Sequence, residues 1–404
     1  MKILFYSLNH APEPTGIGKY QGEMAAWFVE KGHSVSAVTA PPYYPEWRIA
    51  EGYSGWLYKK EVIDGADIYR VPLYVPRKPT GLKRLVHFAS FSLFSLPVMF
   101  WLALREKPDT ILMTEPPLMA APIAFFSGWI SGAKTCLHVQ DFEVDAAFEL
   151  GMLKSPWLRK LALKMEKAAL QRFAHVSTIS PNMRQKVIEK GVAEDKALLI
   201  QNWANVEQFD PAKGAGKWAD EFKKDPDTVL AVYSGNLGKK QGLGTLIEAA
   251  RLLQNEKHIH FVICGDGAGR ADMVENARNL SNVTFLPLQP MDDFVHLMIA
   301  ADIHLLPQKA GAADLVMPSK LGNILASGRP VVAGANKGTQ LYEAMRGCGI
   351  AVPPEEGKAF AEAIRILAGD QDLRISMGKD GRGRAFAEWS KDSVLQIMER
   401  VMRH

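Results

Sequence analysis

Cysteine is scarce in this sequence: Cys136, Cys264 and Cys348 are all that 404 residues contain. An odd, scattered trio makes neither a disulfide framework nor a zinc spacing, so a reducing, cytosolic compartment is expected. Net charge is scarce too. Against 48 basic residues stand 44 acidic ones, a formal +4, which leaves no global field to draw nucleic acid. The motifs H-E-x-x-H and G-x-S-x-G are missing, as is any Cys/His cluster, so neither a metal centre nor a serine hydrolase is expected. A cleavable signal sequence is not expected either. The apolar run Ile3–Leu8 is short, Pro12 and Pro14 stop it, and it reads as a buried first strand.

What is present is alternation. Strand-like runs occur at Lys2–Leu8, Val35–Thr39, Ile68–Val71, Thr110–Met113, Lys134–Val139, Val176–Ile179 and Leu198–Ile200. The second half repeats the style at Val229–Ser234, His260–Cys264, Val283–Pro287, Ile303–Pro307 and Pro330–Ala333. Helical patterns fall between them, so the class is α/β with parallel sheets and crossover helices. The length suits two doubly wound, Rossmann-like domains with a cleft between them. We place them at 1–205 and 206–388, with a linker at about 206–227 and a last helix, 389–404, returning to the first domain.

In doubly wound sheets, ligands gather at the carboxyl ends of the strands, and five loops there carry suitable chemistry. The first, Pro12–Tyr20, contains Gly16 and Gly18, then Lys19 and Tyr20, and opens a helix; glycines allow close backbone approach, and a helix start favours an anion. In the second, His138-Val139-Gln140-Asp141-Phe142-Glu143-Val144-Asp145, three carboxylates and a histidine suit proton transfer or hydrogen bonds to hydroxyls. The third, Gly235-Asn236-Leu237-Gly238-Lys239-Lys240, suits a diphosphate held by amides and lysines. The fourth, Gly265-Asp266-Gly267, is a glycine turn with no acid about 20 positions on, which counts against NAD. The fifth, Pro318-Ser319-Lys320 with Asn323 one turn later, is a second anion pocket in the same half. Each also has a plain reading as a solvated turn or strand end. Asp225-Pro226-Asp227 precedes its strand and reads as linker, not metal ligands.

With these residues, nearly the whole chain resembles the retaining glycosyltransferases of the GT-B fold, family four. It is most similar to the colanic-acid branch, whose members are assigned as fucosyltransferases. The carrying stretches are Pro12–Tyr20, Ala40–Pro45, Leu73–Pro76, His138–Asp145, Ser177–Ser180, Gln201–Trp203, Tyr233–Leu243 and Gly311–Leu325. The resemblance implies a nucleotide-diphosphate sugar on the second domain and a lipid-linked glycan acceptor on the first. Donor contacts would come from Gly16, Gly18, Gly235, Asn236, Lys239, Lys240, Gly265, Asp266, Gly267, Gln289, Pro318, Ser319, Lys320 and Asn323. Acceptor contacts would come from Lys19, Tyr20, His138, Asp141 and Glu143. Asp141, Lys240 and Lys320 would be catalytic, by front-side attack with the lysines stabilising the leaving diphosphate; no cofactor or metal is expected. Two departures stand out: Gln140 where the family usually has histidine, and Asn323 where it usually has glutamate.

One stretch strains the picture of a soluble chain. Leu85–Leu104 carries no Asp, Glu, Lys or Arg, long enough to cross a bilayer. If it crossed, the strands on either side could not share a sheet, so a crossover helix is expected. Arg77, Lys78, Lys83 and Arg84 precede it with no acid among them. With Phe88, Phe91 and Phe94 they suit docking on anionic lipid, the alternative being a wholly buried core helix. The expectation is a peripheral enzyme on the inner face of the plasma membrane, moving fucose from GDP-fucose to a lipid-diphosphate-linked glycan. A nucleotide-sugar epimerase or hydrolase on this fold, or a non-catalytic lipid-surface protein, are the competing readings.

Overall fold

A computed structural model describes residues 1–144, 156–238, 241–309 and 320–403. Chain contacts divide it into two units, Met1–Gln201 with Leu395–His404, and Asn202–Val394.

The first unit is built on eight strands: β1 (Lys2–Tyr6), β2 (Ser34–Thr39), β3 (Lys59–Ile63), β4 (Ala66–Arg70), β5 (Thr110–Glu115), β6 (Lys134–Val139), β7 (His175–Thr178) and β8 (Ala197–Leu199). Their order is β3-β4-β2-β1-β5-β6-β7-β8. All pairs are parallel except β3 with β4. Inner strands such as β1 and β5 are buried almost end to end, as expected when helices cover both faces. The antiparallel edge strand β3 escaped the sequence reading. Its Lys59-Lys60-Glu61 run is largely exposed, and charges of this kind guard a free edge from pairing.

Helix α1 (Gly16–Glu30) follows β1, α2 (Gly81–Arg105) joins β4 to β5, and α3 (Ala121–Ser131) leads from β5 to β6. Among the described residues, α2 is the helix long and apolar enough to cross a bilayer. It is instead a crossover: β4 and β5 lie in one sheet, so its two ends stay on the same side of any membrane. Its inner stripe is His87, Phe88, Phe91, Ser95, Met99, Leu102 and Ala103, spaced by three and four residues. Tyr6 stacks on Phe91 and its hydroxyl meets Ser95 Oγ at 2.6 Å. The expectation that Phe88 and Phe91 face lipid is thereby corrected, since they are only 5% and 1% exposed; they fill the space over β1. Phe94 also packs against this core. The outward face is Leu82, Val86, Leu93, Trp101 and Leu104, and Arg77, Lys78 and Lys83 are exposed beside it.

The second unit has six parallel strands, β9 (Val229–Ser234), β10 (Ile259–Cys264), β11 (Val283–Leu286), β12 (Ile303–Leu306), β13 (Val331–Gly334) and β14 (Gly349–Val352), ordered β11-β10-β9-β12-β13-β14. Alternate residues of β9 feed opposite cores. Val229, Ala231 and Tyr233 join one cluster, and Leu230 and Val232 join another with Trp218. The stretch 206–227 is part of this unit and not a free linker. Val206, Phe209 and Trp218 are buried, and Trp218 Nε1 donates to the Asp293 carbonyl at 2.8 Å. Large apolar side chains hold it down, which a composition of Lys, Gly, Pro and Asp hid. The last helix, Lys391–Arg403, has its latter part in the first unit, where Glu399 Oε1 lies 2.9 Å from His33 Nε2.

Candidate functional site

Each sheet has a switch point where the chain turns from building one way to building the other. It lies between β1 and β5 in the first unit and between β9 and β12 in the second. Crevices at such points are where doubly wound sheets take ligands.

In the second unit, two glycine turns meet at that edge. Gly235, after β9, has φ +140°, and Gly265, after β10, has φ +150°. A Cβ on Gly265 would collide with the Gly235 carbonyl oxygen, so only glycine lets the turns approach. They are laced together by Gly235 N to Cys264 O at 3.0 Å, Leu237 N to Asp266 O at 2.8 Å and Gly269 N to Leu237 O at 2.7 Å. Asp266 caps its own turn, accepting from Gly267 N. Gln289 stands one strand further out, beyond β11, with its amide donating to the Pro287 carbonyl.

Lys320 reaches into this turn from the far side of the switch point. Its Nζ donates to the Ser234 carbonyl at 3.3 Å and sits 4.2 Å from the Tyr233 ring centre. Tyr233 in turn donates to the Asn236 carbonyl. Burial pulls the Lys320 ammonium down to about 8, and among the described residues no carboxylate contributes. A cation held this way gains from an anion brought beside it. One turn along, the Asn323 Oδ1 is buried and accepts no hydrogen bond among the described residues, and Gln308 Oε1 is in the same state. Among the described residues the site therefore offers the Lys320 cation and the vacant acceptors of Asn323 and Gln308; the acceptors suit hydroxyl donors such as those of a sugar or ribose.

In the first unit, Glu13 organises the loop after β1. Its Oε1 accepts from the Tyr43 and Tyr44 amides, both at 3.0 Å, and its Oε2 accepts from Asn9 at 2.9 Å. Burial nevertheless holds the carboxyl above its usual range. Gly18 packs directly on Glu13, and any side chain there would strike the carboxylate. Gly16, at φ +64°, packs near the Tyr44 ring. Arg70 is buried and bonds Glu61 and the Ala11 and Ala40 carbonyls, which fixes both loops to the sheet. Lys19, half-buried like Tyr20, pairs with Glu23.

The loop after β6 turns out more divided than its sequence suggests. Asp141 is exposed. His138 is not: it lies between Ser177 Oγ and Gln140 Nε2, each at 2.9 Å, and burial lowers it to about 4. It is a neutral prop for Gln140 rather than a group facing an acceptor. Glu143 turns back, accepting from the Leu118 amide at 2.8 Å, and its backbone N–H donates to Glu115 Oε1 at 3.4 Å. Burial raises Glu143 and raises Glu115 strongly, with Glu143 and Glu166 adding to the latter. Lys190 donates to Glu166 at 2.6 Å.

The structure thus brings Gly235, Asn236, Gly265, Asp266, Gly267, Lys320 and Asn323 to one edge, with Gln289 at its margin. Lys239, Lys240, Pro318 and Ser319 lie outside the described residues. Glu13, Glu115 and Tyr233 were not singled out from sequence. Glu115 carried a usable signal, being an acid at the carboxyl end of a switch-point strand. Glu13 and Tyr233 carried none, because their importance is a matter of partners.

Two doubly wound sheets, one ending in a glycine-turn and lysine site, define the GT-B class of two-domain transferases. A Glycosyl transferase 4-like domain model matches residues 15–203, and a Glycosyl transferases group 1 model matches residues 216–384. The chain is 44% identical, over 90% of its length and 91% of the relative's, to WcaI of Escherichia coli (strain K12), a protein named for colanic acid biosynthesis. The chain belongs to this glycosyltransferase family and is a sugar transferase. It is also 28% identical, over 50% of its length and 55% of the relative's, to a GDP-mannose-dependent monoacylated phosphatidylinositol monomannoside mannosyltransferase of Corynebacterium glutamicum. Among solved structures, Anabaena HepE in complex with UDP matches with a TM-score of 0.65 at 16% identity, covering 100% of both chains.

Proposed function

We propose that the protein transfers a sugar, fucose from GDP-fucose, to a lipid-diphosphate-linked glycan during assembly of an exopolysaccharide of the colanic acid kind. Lys320 carries the reading: a buried ammonium over a glycine turn, with no acid compensating it among the described residues, is built for an anionic ligand. The WcaI relative supports the polysaccharide, and the mannosyltransferase relative supports both a GDP donor and a lipid acceptor. The nucleotide diphosphate binds at Gly235, Gly265 and Lys320, with Asn323 and Gln308 taking hydroxyl donors from the sugar or ribose.

The bond from the sugar's anomeric carbon to the β-phosphate breaks, and its electron pair stays on the phosphate. Lys320, joined by Lys239 and Lys240, stabilises that charge as it develops. The acceptor hydroxyl adds to the same face of the carbon, and its proton passes to the departing phosphate, so configuration is retained. Asp141 orients the acceptor. The bases Arg77, Lys78, Lys83 and Arg84, beside the outward apolar face of α2, hold the enzyme on anionic lipid at the inner face of the plasma membrane.

The test is product analysis after incubation with GDP-fucose and a lipid-diphosphate glycan. Expected are free GDP and a fucosylated glycolipid. An epimerised or hydrolysed sugar, or GDP release independent of acceptor, refutes the proposal.

A further inference from the structure

A groove of about 760 Å³ runs along the first unit, between α3 and the helix Pro156–Leu170. That volume is ample for a small ligand. Its walls are apolar, with Leu85, Met119, Phe125, Phe126, Trp129 and Met165 among them. Several are strongly exposed for such side chains: Trp129 is 77% and Met165 64% accessible. The apolar surface continues onto α2, where Phe100 and Phe126 have ring centres 5.3 Å apart and Phe126 meets Trp129 at 5.5 Å.

Topology gives the groove a direction. Both α3 and Pro156–Leu170 start after parallel strands and run back along the sheet, so the Leu118 and Glu143 end lies at the carboxyl edge and the Trp129 and Arg172 end at the amino edge. Along α3's 11 residues the groove is about 16 Å long. Its charge is one-sided. Arg84, beside Leu85, is close enough to lower the proton affinity of Glu143, and Arg172 lines the far end. The flanking helix exposes Arg159, Lys160, Lys164 and Lys167, while its one acid, Glu166, is buried and bonded to Lys190. The acids below the groove, Glu115 and Glu143, are both held above their usual range by burial, so they oppose an anion weakly.

We propose that this groove takes the hydrocarbon chain of the phosphate-linked lipid acceptor, drawing one chain out of the bilayer and delivering its head group at the carboxyl edge beside Arg84 and Asp141. The inference rests on the lipid-linked acceptor proposed above and adds where the lipid goes. The occupant is one chain with an anionic head, because an apolar trough rimmed by bases complements that chemistry.

The experiment titrates the whole protein with farnesyl phosphate, below its micellar concentration, by calorimetry. Each methylene taken from water tightens binding about four-fold, so three buried methylenes alone put farnesyl phosphate about fifty-fold or more ahead of inorganic phosphate. The variant Ala162→Trp, which fills the groove from the flanking helix, should weaken farnesyl phosphate at least ten-fold. GDP should still raise its melting temperature as in the wild type, showing that it folds. Arg84→Ala should weaken farnesyl phosphate but leave farnesol unchanged. Farnesyl phosphate binding no tighter than phosphate, or equally tight to Ala162→Trp, overturns the proposal. So does a variant that loses vesicle flotation, which would make the groove part of a bilayer-docking face. Wild-type dimers that Ala162→Trp dissolves would make it a contact between copies and overturn the proposal as well. The two proposals fail separately. Transfer to a lipid glycan without farnesyl phosphate binding removes only the groove; farnesyl phosphate binding without such transfer removes only the reaction.

Discussion

Replacing Lys320 with methionine should give a protein that folds slightly better and works far worse. Burial brings the ammonium from its ordinary 10.5 down to about 8. At about 1.4 kcal/mol per tenfold change in proton affinity, that gap costs the fold about 3 kcal/mol while the lysine is charged. The unfolded chain keeps the proton up to 10.5 and the folded chain only up to about 8. The cost is therefore complete below pH 8, shrinks between pH 8 and 10.5, and is gone above. Against it stands the ammonium's contact with the Tyr233 ring at 4.2 Å, worth about 2 kcal/mol when desolvated. Methionine, of similar length, should leave a net gain of about 1 kcal/mol at pH 7, or roughly 2–4 °C in a unit of this size. Scanning calorimetry of the unliganded protein reads that gain. The same change should cut kcat/KM by about 10²–10³, the usual effect of losing one preorganised charge at a developing anion, and abolish stabilisation by GDP. In the wild type near pH 8.5, GDP binding should take up a proton, because the diphosphate restores the ammonium; titrations in buffers of different ionisation enthalpy detect it. A variant with wild-type turnover and an intact GDP response would refute the reasoning.

Three other outcomes follow from the same geometry. Gly265→Ala places a methyl against the Gly235 carbonyl at φ +150° and should lower stability by about 2 kcal/mol or more; a urea midpoint unchanged from wild type contradicts it. Glu115→Gln removes a buried acid whose carboxyl is held well above its usual range. The folded acid binds its proton more tightly than the unfolded one, so wild-type stability falls as pH rises above the ordinary carboxylate range. The glutamine variant should thus gain on the wild type between pH 5 and 8 in melting temperature, and parallel curves would contradict the account. On α2, Phe91→Ala should cost about 3–5 kcal/mol as a cavity in the core. Leu93→Glu, on the outward face at 66% exposure, should leave stability alone and weaken flotation with anionic vesicles. Reversed outcomes would mean the two faces of the helix have been exchanged.

How far the sequence carried depended on whether a property was local. The strand β6 was readable to the residue, Lys134–Val139, because a buried parallel strand is a compact run of apolar, β-favouring residues between breakers. The same logic missed β3, since an edge strand keeps its charges outward, and it read 206–227 as linker because a few scattered apolar residues, Val206, Phe209 and Trp218, hold it down. The glycine turns were legible as turns at strand ends: Gly235 and Gly265 each follow a strand, at φ values that favour glycine. His138 and Glu143 were misread for one reason. Strand alternation says which face a side chain takes, but not whether a partner such as Ser177 or the Leu118 amide waits for it. On α2, absence of charge identified an apolar helix without saying which phenylalanines turn inward. That was decided by Tyr6 on β1, far away in the chain, which stacks on Phe91 and bonds Ser95 on the helix itself.

In each unit, ionisable groups whose proton affinity burial shifts lie at the switch point. In the first unit Glu13 follows β1 and Glu115 ends β5, the two strands that flank the crevice, and burial lifts both carboxyls. In the second, Lys320 follows β12 and reaches the end of β9, and burial lowers it. A fold gains little from burying such groups, since hydrophobic replacements of similar volume cost less. Their placement makes sense where something arrives to complete them. An anion restores the charge of Lys320. Carboxyls that are raised yet ringed by amide donors, as Glu13 is by Tyr43 and Tyr44, suit hydroxyl-bearing neutral groups better than anions. Raised carboxyls at one switch point and a lowered ammonium at the other suit the proposed reaction, in which the phosphates come with the donor and the attacking hydroxyl with the acceptor.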